Sequence, residues 1–310
     1  MTSRFSAVLA TLLGAAVLQG PPPAPPPTWQ RLIGEYGPDS TTRVMILERG
    51  GRLLARFDSL HEAAVTPAGV RRLLADSMWS RRALGPEAGA VFRIVPVRPV
   101  EELRKAALAA NPPPEPGEFR ASDLVELVKL DPTIKLDIRY ATSRNFMGTP
   151  LYSQARAFLQ RPAAEALLRA HHKLKAKGYG LLIHDGYRPW YVTKMFWDAT
   201  PPAQHGFVAN PATGSRHNRG CAVDLSLYDL RTGRPVEMPG TYDEFSLRSY
   251  PSYPGGTSRQ RWHRELLRSA MEAEGFTVNS SEWWHFDYRD WKLYRIGNIP
   301  FEKLGARTGG

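Results

Sequence analysis

Two proline-rich stretches divide this chain of 310 residues into parts that cannot share continuous helices or strands. The first, PPPAPPP, spans residues 21–27 and predicts an extended spacer, because proline fixes its own φ angle and lacks an N–H donor. The second, NPPPEPGE, spans residues 111–118 and predicts a linker. Seven of the eight histidines follow the second stretch, so we expect the chemistry in the carboxyl-terminal part.

The pattern around these stretches predicts five segments. They are a secretory signal peptide at residues 1–20, the spacer at 21–27, a small β-rich accessory domain at 28–100, a linker at 101–118 and a domain carrying the chemistry at 119–305. Within the accessory domain, RVMILERGGRLLARF predicts two strands joined at Arg49, Gly50 and Gly51. The run AVFRIVPV, residues 90–97, predicts another strand.

The amino-terminal segment has the layout of an export signal. One arginine precedes an uncharged apolar run from Phe5 to Leu18, which is too short for a comfortable membrane span. The sequence therefore predicts a periplasmic or extracellular protein. Leu18 and Gln19 fit the small-residue cleavage rule badly, so a retained amino-terminal membrane anchor is the alternative. Because Cys221 is the only cysteine, no intrachain disulfide can form and the exported protein must be stable through its core.

The net charge of +11 favours weak contact with anionic polymers of the cell envelope. The 41 lysines and arginines are scattered, with no block of like charges and no basic stripe interleaved with aromatic residues. The sequence therefore predicts no nucleic-acid partner.

The carboxyl-terminal part mixes helices and strands without regular βαβ repetition. Residues 161–178 predict a helix with Pro162 in its first turn and Gly178 after its end, and YGLLIH predicts a strand that stops at Asp185. A later helix is predicted over 259–274, with Ser258 as its N-cap. This pattern favours an α+β fold over a doubly wound sheet.

Two predicted strands each place a polar residue on the face opposite to bulky apolar side chains. In CAVDLSLYDL, the apolar face consists of Val223, Leu225 and Leu227. Asp224 lies on the opposite face, where its neighbours are small. His217 lies in the loop before this strand, and Gly220 permits the sharp turn that would bring it over Asp224. In EWWHFDY, alternation places His285 on the face opposite to the bulky aromatic residues.

These residues form a set suited to zinc catalysis. Two histidines with one carboxylate, here His217, Asp224 and His285, leave an open position on zinc for water. Glu282 would act as the general base, but it can join the site only if a bulge or a strand start near Trp283 breaks the alternation. Arg188, directly after the strand YGLLIH, would stabilise an oxyanion.

The combined motifs resemble those of the zinc D-alanyl-D-alanine dipeptidase family, which includes the vancomycin-resistance dipeptidase. The matching elements are Ser215-x-His217-x-x-Gly220-x-Ala222-x-Asp224, Glu282-x-x-His285, DIRYATSRNFMG from Asp137 and DGYRP from Asp185. The resemblance covers most of the chain from about Leu124 to Pro300. It implies a small antiparallel sheet with surrounding helices, as in D-alanyl-D-alanine carboxypeptidases, lysostaphin-type endopeptidases and the hedgehog domain.

The resemblance also implies roles for individual residues. It implies one zinc ion per chain on His217, Asp224 and His285, with Glu282 as the catalytic base and Arg188 polarising the scissile carbonyl. Simpler alternatives remain. His217 could be an ordinary loop histidine, with Asp224 paired to a neighbouring arginine. Glu282 could orient a ligand histidine instead, and Arg188 could only form an ion pair with Asp185 or Asp224.

Other polar residues carry weaker expectations. Ser215 is a candidate substrate contact, with support of the loop backbone as an equal alternative. His171, His172 and His263 lie on predicted helices and are interpreted as packing or solvent-facing residues, whereas His184 is a candidate for the pocket wall.

Three functions are consistent with this reading. The first is zinc-dependent hydrolysis of D-Ala-D-Ala or a related small dipeptide. The second is an exported carboxypeptidase or endopeptidase acting on peptidoglycan stem peptides. The third is a non-catalytic, zinc-stabilised binding module of the cell envelope, against which the presence of Glu282 and Arg188 argues.

Overall fold

The structure is a computed structural model that describes residues 20–37, 44–58, 61–75 and 91–304. The predicted signal peptide, apart from Gly20, lies outside the described residues. In the part of the chain that is described, no helix has both the length and the apolar character needed to cross a membrane.

The chain contains seven α-helices and eleven strands within its described residues. The helices are α1 Pro27–Gln30, α2 Pro67–Ala75, α3 Val100–Ala109, α4 Leu127–Leu130, α5 Arg161–Lys175, α6 Trp190–Ala199 and α7 Ser258–Glu272. The strands are β1 Gly34–Tyr36, β2 Val44–Arg49, β3 Arg52–Arg56, β4 Glu62–Ala64, β5 Leu124–Glu126, β6 Lys135–Leu136, β7 Phe158–Gln160, β8 Tyr179–Asp185, β9 Ala222–Asp229, β10 Phe276–Val278 and β11 His285–Tyr288.

The chain divides into two compact units. The first comprises residues 1–90, 237–241 and 246–267, and the second comprises 91–236, 242–245 and 268–310. The first unit contains an antiparallel sheet in the order β1-β2-β3-β4. Its predicted hairpin is confirmed, since Gly50 and Gly51 both take positive φ angles, 57° and 77°, between β2 and β3.

Helix α7 starts one residue earlier than the sequence predicts. Its cap is Thr257, whose Oγ1 accepts a hydrogen bond from the Gln260 N–H at 3.1 Å, while Gln260 Oε1 accepts one from the Thr257 N–H at 2.8 Å. This reciprocal pair is a capping box. The predicted N-cap, Ser258, is instead the first helical residue, and its N–H donates to Glu48 Oε2 at 2.7 Å.

The second unit contains a five-stranded sheet in the order β10-β11-β9-β8-β6. Its strand pairs are antiparallel except for the short edge strand β6, which runs parallel to β8. A two-stranded antiparallel sheet, β5 with β7, lies in the same unit. These sheets and the helices around them confirm the predicted α+β fold.

Two local predictions in the second unit have different outcomes. Helix α5 confirms the helix predicted over 161–178, with Pro162 in its first turn and Gly178 at φ 86° after its end. The strand predicted over 90–97 is wrong for its described residues 91–97, because the backbone N–H groups of Ile94 and Val97 donate to isolated carbonyls rather than to a neighbouring strand.

His171 on α5 gives the fold a testable dependence on pH. The side chain is fully buried, and its Nδ1 accepts a hydrogen bond from the Leu181 N–H at 3.2 Å, so protonation there would break a buried contact. Burial lowers the pKa of His171 to about 4, whereas an unfolded histidine titrates near 6.5. Between these values the unfolded chain binds more protons, so the free energy of unfolding falls as the pH falls.

We therefore expect acidification from pH 7.5 to pH 4.5 to lower the free energy of unfolding by up to about 3 kcal/mol through this histidine. Urea denaturation at both pH values should show a smaller change for His171→Gln than for the wild type. His172→Gln, at a more exposed position of the same helix, is the matched control. If the free energy of unfolding of His171→Gln falls with pH as much as that of the wild type, the pH dependence does not arise from His171.

Candidate metal and catalytic site

Adjacent strands bring two of the predicted ligands together. Strands β9 and β11 are antiparallel neighbours, and Asp224 and His285 are direct cross-strand partners. Side chains of such a pair lie on the same face of a sheet, a few ångströms apart. The sequence alternation predicts each face correctly, and the pairing register sets the two residues opposite each other.

The turn before β9 carries the third predicted ligand. His217 begins a short 3-10 turn, His217–Arg219, which ends at Gly220 with φ 67°. This positive φ angle favours glycine, and a Cβ atom at Gly220, 2.5 Å from Leu124 Cδ2, would also force the Leu124 side chain to move. The turn places His217 beside Asp224, as the sequence predicts.

The three side chains converge on a common point. His217 Nε2 lies 3.0 Å from His285 Nδ1 and 3.3 Å from Asp224 Oδ1, and His285 Nδ1 lies 3.0 Å from Asp224 Oδ1. All three residues are buried. This triangle of donor atoms could hold a metal ion.

Hydrogen bonds on the outer side of each ring fix which nitrogen faces the centre. His217 Nδ1 lies 2.7 Å from the Gly186 carbonyl, which can only accept, so Nδ1 carries the proton. His285 Nε2 lies 2.9 Å from Asp287 Oδ1, which likewise favours a proton on Nε2. Two imidazole lone pairs and a carboxylate oxygen therefore point at one another.

That donor set fits a small divalent cation. Without a cation or an added proton, three electron-rich atoms about 3 Å apart repel each other. Zinc bonds of about 2.0–2.1 Å in a tetrahedron imply ligand separations of roughly 3.3 Å, close to the observed triangle. His, His and Asp are also the ligand types that zinc takes in catalytic sites with one open position.

The pKa values reflect the same concentration of charge. Burial raises the pKa of Asp224, but the adjacent His217 and His285 lower it further, so the net pKa lies well below its usual value. Burial lowers the pKa of His285, but its hydrogen bonds to Asp224 and Asp287 outweigh that effect and the net pKa is raised. The centre therefore attracts positive charge.

Glu282 reaches the site because the strand starts after Trp283, one of the two irregularities predicted from the sequence. Strand β11 begins only at His285, after a turn at Trp283 and Trp284, so strand alternation does not constrain Glu282. Glu282 Oε2 lies 3.7 Å from His285 Nδ1 and accepts a hydrogen bond from Asn279 Nδ2 at 3.3 Å. Burial raises the pKa of Glu282 above its usual value.

Arg188 lies three residues after the end of β8 and is held by an ion pair with Asp185. Its Nε and one Nη contact Asp185 Oδ2 at 2.9 and 2.8 Å, and the Nη lies 3.7 Å from Asp224 Oδ2. Its guanidinium carbon lies 4.8 Å from the centre of the Phe196 ring. Burial lowers the pKa of Arg188, but the charge of Asp185 outweighs this and the guanidinium stays protonated. The ion pair considered as an alternative is therefore present, in a side chain that also lines the cavity.

A cavity of about 380 Å³ opens on these groups, a size in the range of small-molecule sites. All six predicted site residues line it: Arg188, Ser215, His217, Asp224, Glu282 and His285. Its aromatic wall is formed by Tyr140, Phe146, Phe196, Phe207, Phe245, Trp284 and Trp291. The cavity thus joins the triangle of donor atoms, a carboxylate and a guanidinium to an apolar surface.

Ser215 supports the backbone of the loop that carries His217, and it also lines the cavity. Its Oγ accepts a hydrogen bond from the His217 N–H at 3.2 Å, and its own N–H donates to Asn218 Oδ1 at 2.7 Å. It therefore supports the ligand loop while lining the cavity. His184, in contrast, is not among the residues that line this cavity, since its Nε2 contacts Ser226 Oγ at 2.9 Å and its ring stacks on Tyr242.

Asp243 is the main cavity residue that the sequence analysis missed. It is a non-glycine residue with a positive φ of 59°, and its Oδ1 accepts a hydrogen bond from the Tyr140 hydroxyl at 2.9 Å. Its buried Oδ2 has no hydrogen-bond partner among the described residues. Burial, with the nearby charge of Asp224, raises the pKa of Asp243 to about 8. No periodicity in the loop TYDEF marks this aspartate.

Comparisons with known proteins give a consistent result. A sequence model of the family described as D-ala-D-ala dipeptidase matches residues 120–297. The D-alanyl-D-alanine dipeptidase of Escherichia coli (strain K12) is 36% identical over 166 residues, which cover 54% of this chain and 84% of that protein. The D-alanyl-D-alanine dipeptidase of Enterococcus faecium is 36% identical over 178 residues, covering 51% of this chain and 87% of that protein.

Solved structures that are similar to this chain include that of an LD-carboxypeptidase. The LdcB LD-carboxypeptidase is 20% identical to this chain with a TM-score of 0.32, over 57% of this chain and 74% of that one.

Proposed function

Because this chain belongs to the D-Ala-D-Ala dipeptidase family of metallopeptidases, we propose that it hydrolyses D-Ala-D-Ala or a closely related small dipeptide with one bound zinc ion. His217, Asp224 and His285 would hold the metal. The convergence of their three donor atoms within 3.0 to 3.3 Å is the observation that carries the proposal. When bound, zinc supplies Lewis acidity and makes water a usable nucleophile near neutral pH.

Glu282 would move the proton during hydrolysis. Its carboxylate lies beside the ligand triangle, and its raised pKa brings it nearer to neutral pH, where a group exchanges protons efficiently. It would accept a proton from the attacking water and pass it to the nitrogen of the leaving amino acid.

Arg188 would stabilise the negative charge that develops on the carbonyl oxygen. Its guanidinium is fixed by Asp185 and packed against Phe196, so it needs little rearrangement when that charge appears. One Nη of Arg188 lies 3.7 Å from Asp224 Oδ2, so the guanidinium is close to the proposed ligands.

Asp243 would bind the free amino group of the substrate. A buried carboxylate with an unpartnered oxygen is unfavourable by itself, and an arriving ammonium group would both pair with it and favour its ionised form. Such a contact selects a substrate that has a free amino terminus, which favours a dipeptide over a peptide cut in mid-chain.

We expect Asp243→Asn to raise KM for D-Ala-D-Ala by about 10- to 100-fold, because a hydrogen bond to a charged group contributes about 1.5–3 kcal/mol. Metal content should stay at the wild-type level. Asp198→Asn, on helix α6 and away from the cavity lining, is the matched control. N-acetyl-D-Ala-D-Ala lacks the free amino group, so the wild type should hydrolyse it with a low kcat/KM. Asp243→Asn should not lower that kcat/KM further. An equal loss on both substrates would contradict the role.

The amino-terminal apolar run favours a second candidate, an exported carboxypeptidase or endopeptidase acting on peptidoglycan stem peptides. Comparing free D-Ala-D-Ala with a muropeptide pentapeptide separates the two. Turnover of the pentapeptide without turnover of the dipeptide would exclude the first function. Export itself remains a proposal that rests on residues 1–20.

A further inference from the structure

Residues 91–118 precede the part of the chain that matches the dipeptidase family. They form the bracing segment. The match begins at residue 120, yet the bracing segment belongs to the same compact unit as the cavity. It contains helix α3 and the whole of the linker predicted from sequence at residues 101–118. We propose that it holds two walls of the substrate cavity in place and thereby sets the affinity for substrate.

One contact is an aromatic stack near the start of the segment. The Phe92 ring stacks on Phe245 with centroids 4.7 Å apart, and Phe245 stacks in turn on Phe207 at 4.7 Å. Phe245 and Phe207 line the cavity, whereas Phe92 is not among the lining residues. Phe92 therefore packs against a residue of the cavity wall without lining the cavity itself. Phe245 follows Asp243 by two residues, so this wall adjoins the carboxylate proposed to bind the substrate amine.

Hydrogen bonds tie the same stretch to Phe146, which packs on Phe245 in the same wall. The Ile94 N–H donates to the Phe146 carbonyl at 3.0 Å, and the Arg93 guanidinium donates to the carbonyls of Ser143 and Asn145 at 3.0 and 3.3 Å. Phe146 lines the cavity and lies 5.4 Å from Phe245, centroid to centroid. Residues 92–94 thus fix both members of that aromatic pair.

The other contact is an ion pair near the end of the segment. Glu115 Oε1 accepts a hydrogen bond from Arg219, and Glu115 Oε2 accepts one from the Ile296 N–H at 2.7 Å. The Arg219 side chain is only 10% exposed and lies over the Trp291 ring, with both residues lining the cavity. Without Glu115, the buried Arg219 charge would lose its carboxylate partner, and this wall would rearrange.

The two contacts can be tested separately. Phe92→Ala has a matched control in Val95→Ala, since Val95 is 84% exposed in the same stretch. Glu115→Gln has a matched control in Glu118→Gln, an exposed glutamate three residues further on. Phe92→Leu offers a milder change should the alanine variant fold poorly.

Hydrogen exchange gives a readout that needs no turnover. We expect faster exchange at Tyr242–Phe245 in Phe92→Ala, faster exchange at Trp291–Ile296 in Glu115→Gln, and wild-type exchange in both controls. Exchange that stays at wild-type rates in these peptides would overturn the proposal, whatever the activity.

The kinetic readout rests on the proposed dipeptidase function. With D-Ala-D-Ala, KM should rise about threefold to tenfold in Phe92→Ala, while kcat stays within about twofold of the wild type. Phe92→Tyr keeps an aromatic ring and should have the KM of the wild type. Faster exchange without a change in KM would overturn the role in substrate affinity. If the wild type does not hydrolyse the dipeptide, the proposed function fails, and the exchange experiment still decides whether the segment braces the walls.

Discussion

Glu282→Gln should lower kcat for D-Ala-D-Ala by about 100- to 10,000-fold, the usual contribution of a general base. The amide keeps the size and the contact with Asn279 that the carboxylate has, but it cannot accept a proton from water. Metal content should remain at one ion per chain, because the three donor atoms belong to other residues. Glu272→Gln, at the carboxyl-terminal end of helix α7, is the control and should retain wild-type kcat.

The same variant distinguishes the alternative role of Glu282. If the carboxylate only orients His285, from which it lies 3.7 Å away, the glutamine variant should bind metal more weakly, by about 10- to 100-fold, yet turn over normally once saturated with zinc. Metal titration followed by rate measurement at saturation separates the two outcomes. Full activity at saturation would remove Glu282 as the base.

His217→Ala should abolish stoichiometric metal binding and lower the rate by about 1000-fold or more, because several kcal/mol of electrostatic stabilisation depend on the metal. His172→Ala removes a histidine whose side chain is largely exposed and should change neither property. Metal analysis of the purified variants and dipeptide hydrolysis would measure both effects. Wild-type metal content in His217→Ala would contradict the assignment of this ligand.

Local sequence patterns could predict where the candidate ligand side chains lie because each position depends on short-range geometry. Alternation along the strands gives the faces of Asp224 and His285, and Gly220 permits the turn that returns His217 to the strand. The direct pairing of Asp224 with His285 could not be predicted, since it depends on the register between strands whose ligands are 61 residues apart. Asp243 was missed because it lies in an irregular loop with no repeat of any period.

The region before the catalytic motifs was harder to predict. The prolines of residues 111–118 indicate a break in secondary structure, but they carry no information on whether the extended chain is bound by side chains such as Glu115. Helix α3 lies within the predicted linker except for its first residue, and it buries Leu103 and Ala107, four residues apart. This helical spacing is a local signal that could have revealed it.

Hydrolysis of free D-Ala-D-Ala, measured before and after removal of metal, tests the central claim most directly. The zinc-loaded protein should cleave the dipeptide, lose that activity on chelation and recover it when one equivalent of zinc per chain is restored. Failure of the zinc-loaded protein to cleave D-Ala-D-Ala, or cleavage that persists unchanged without metal, would contradict the proposed function.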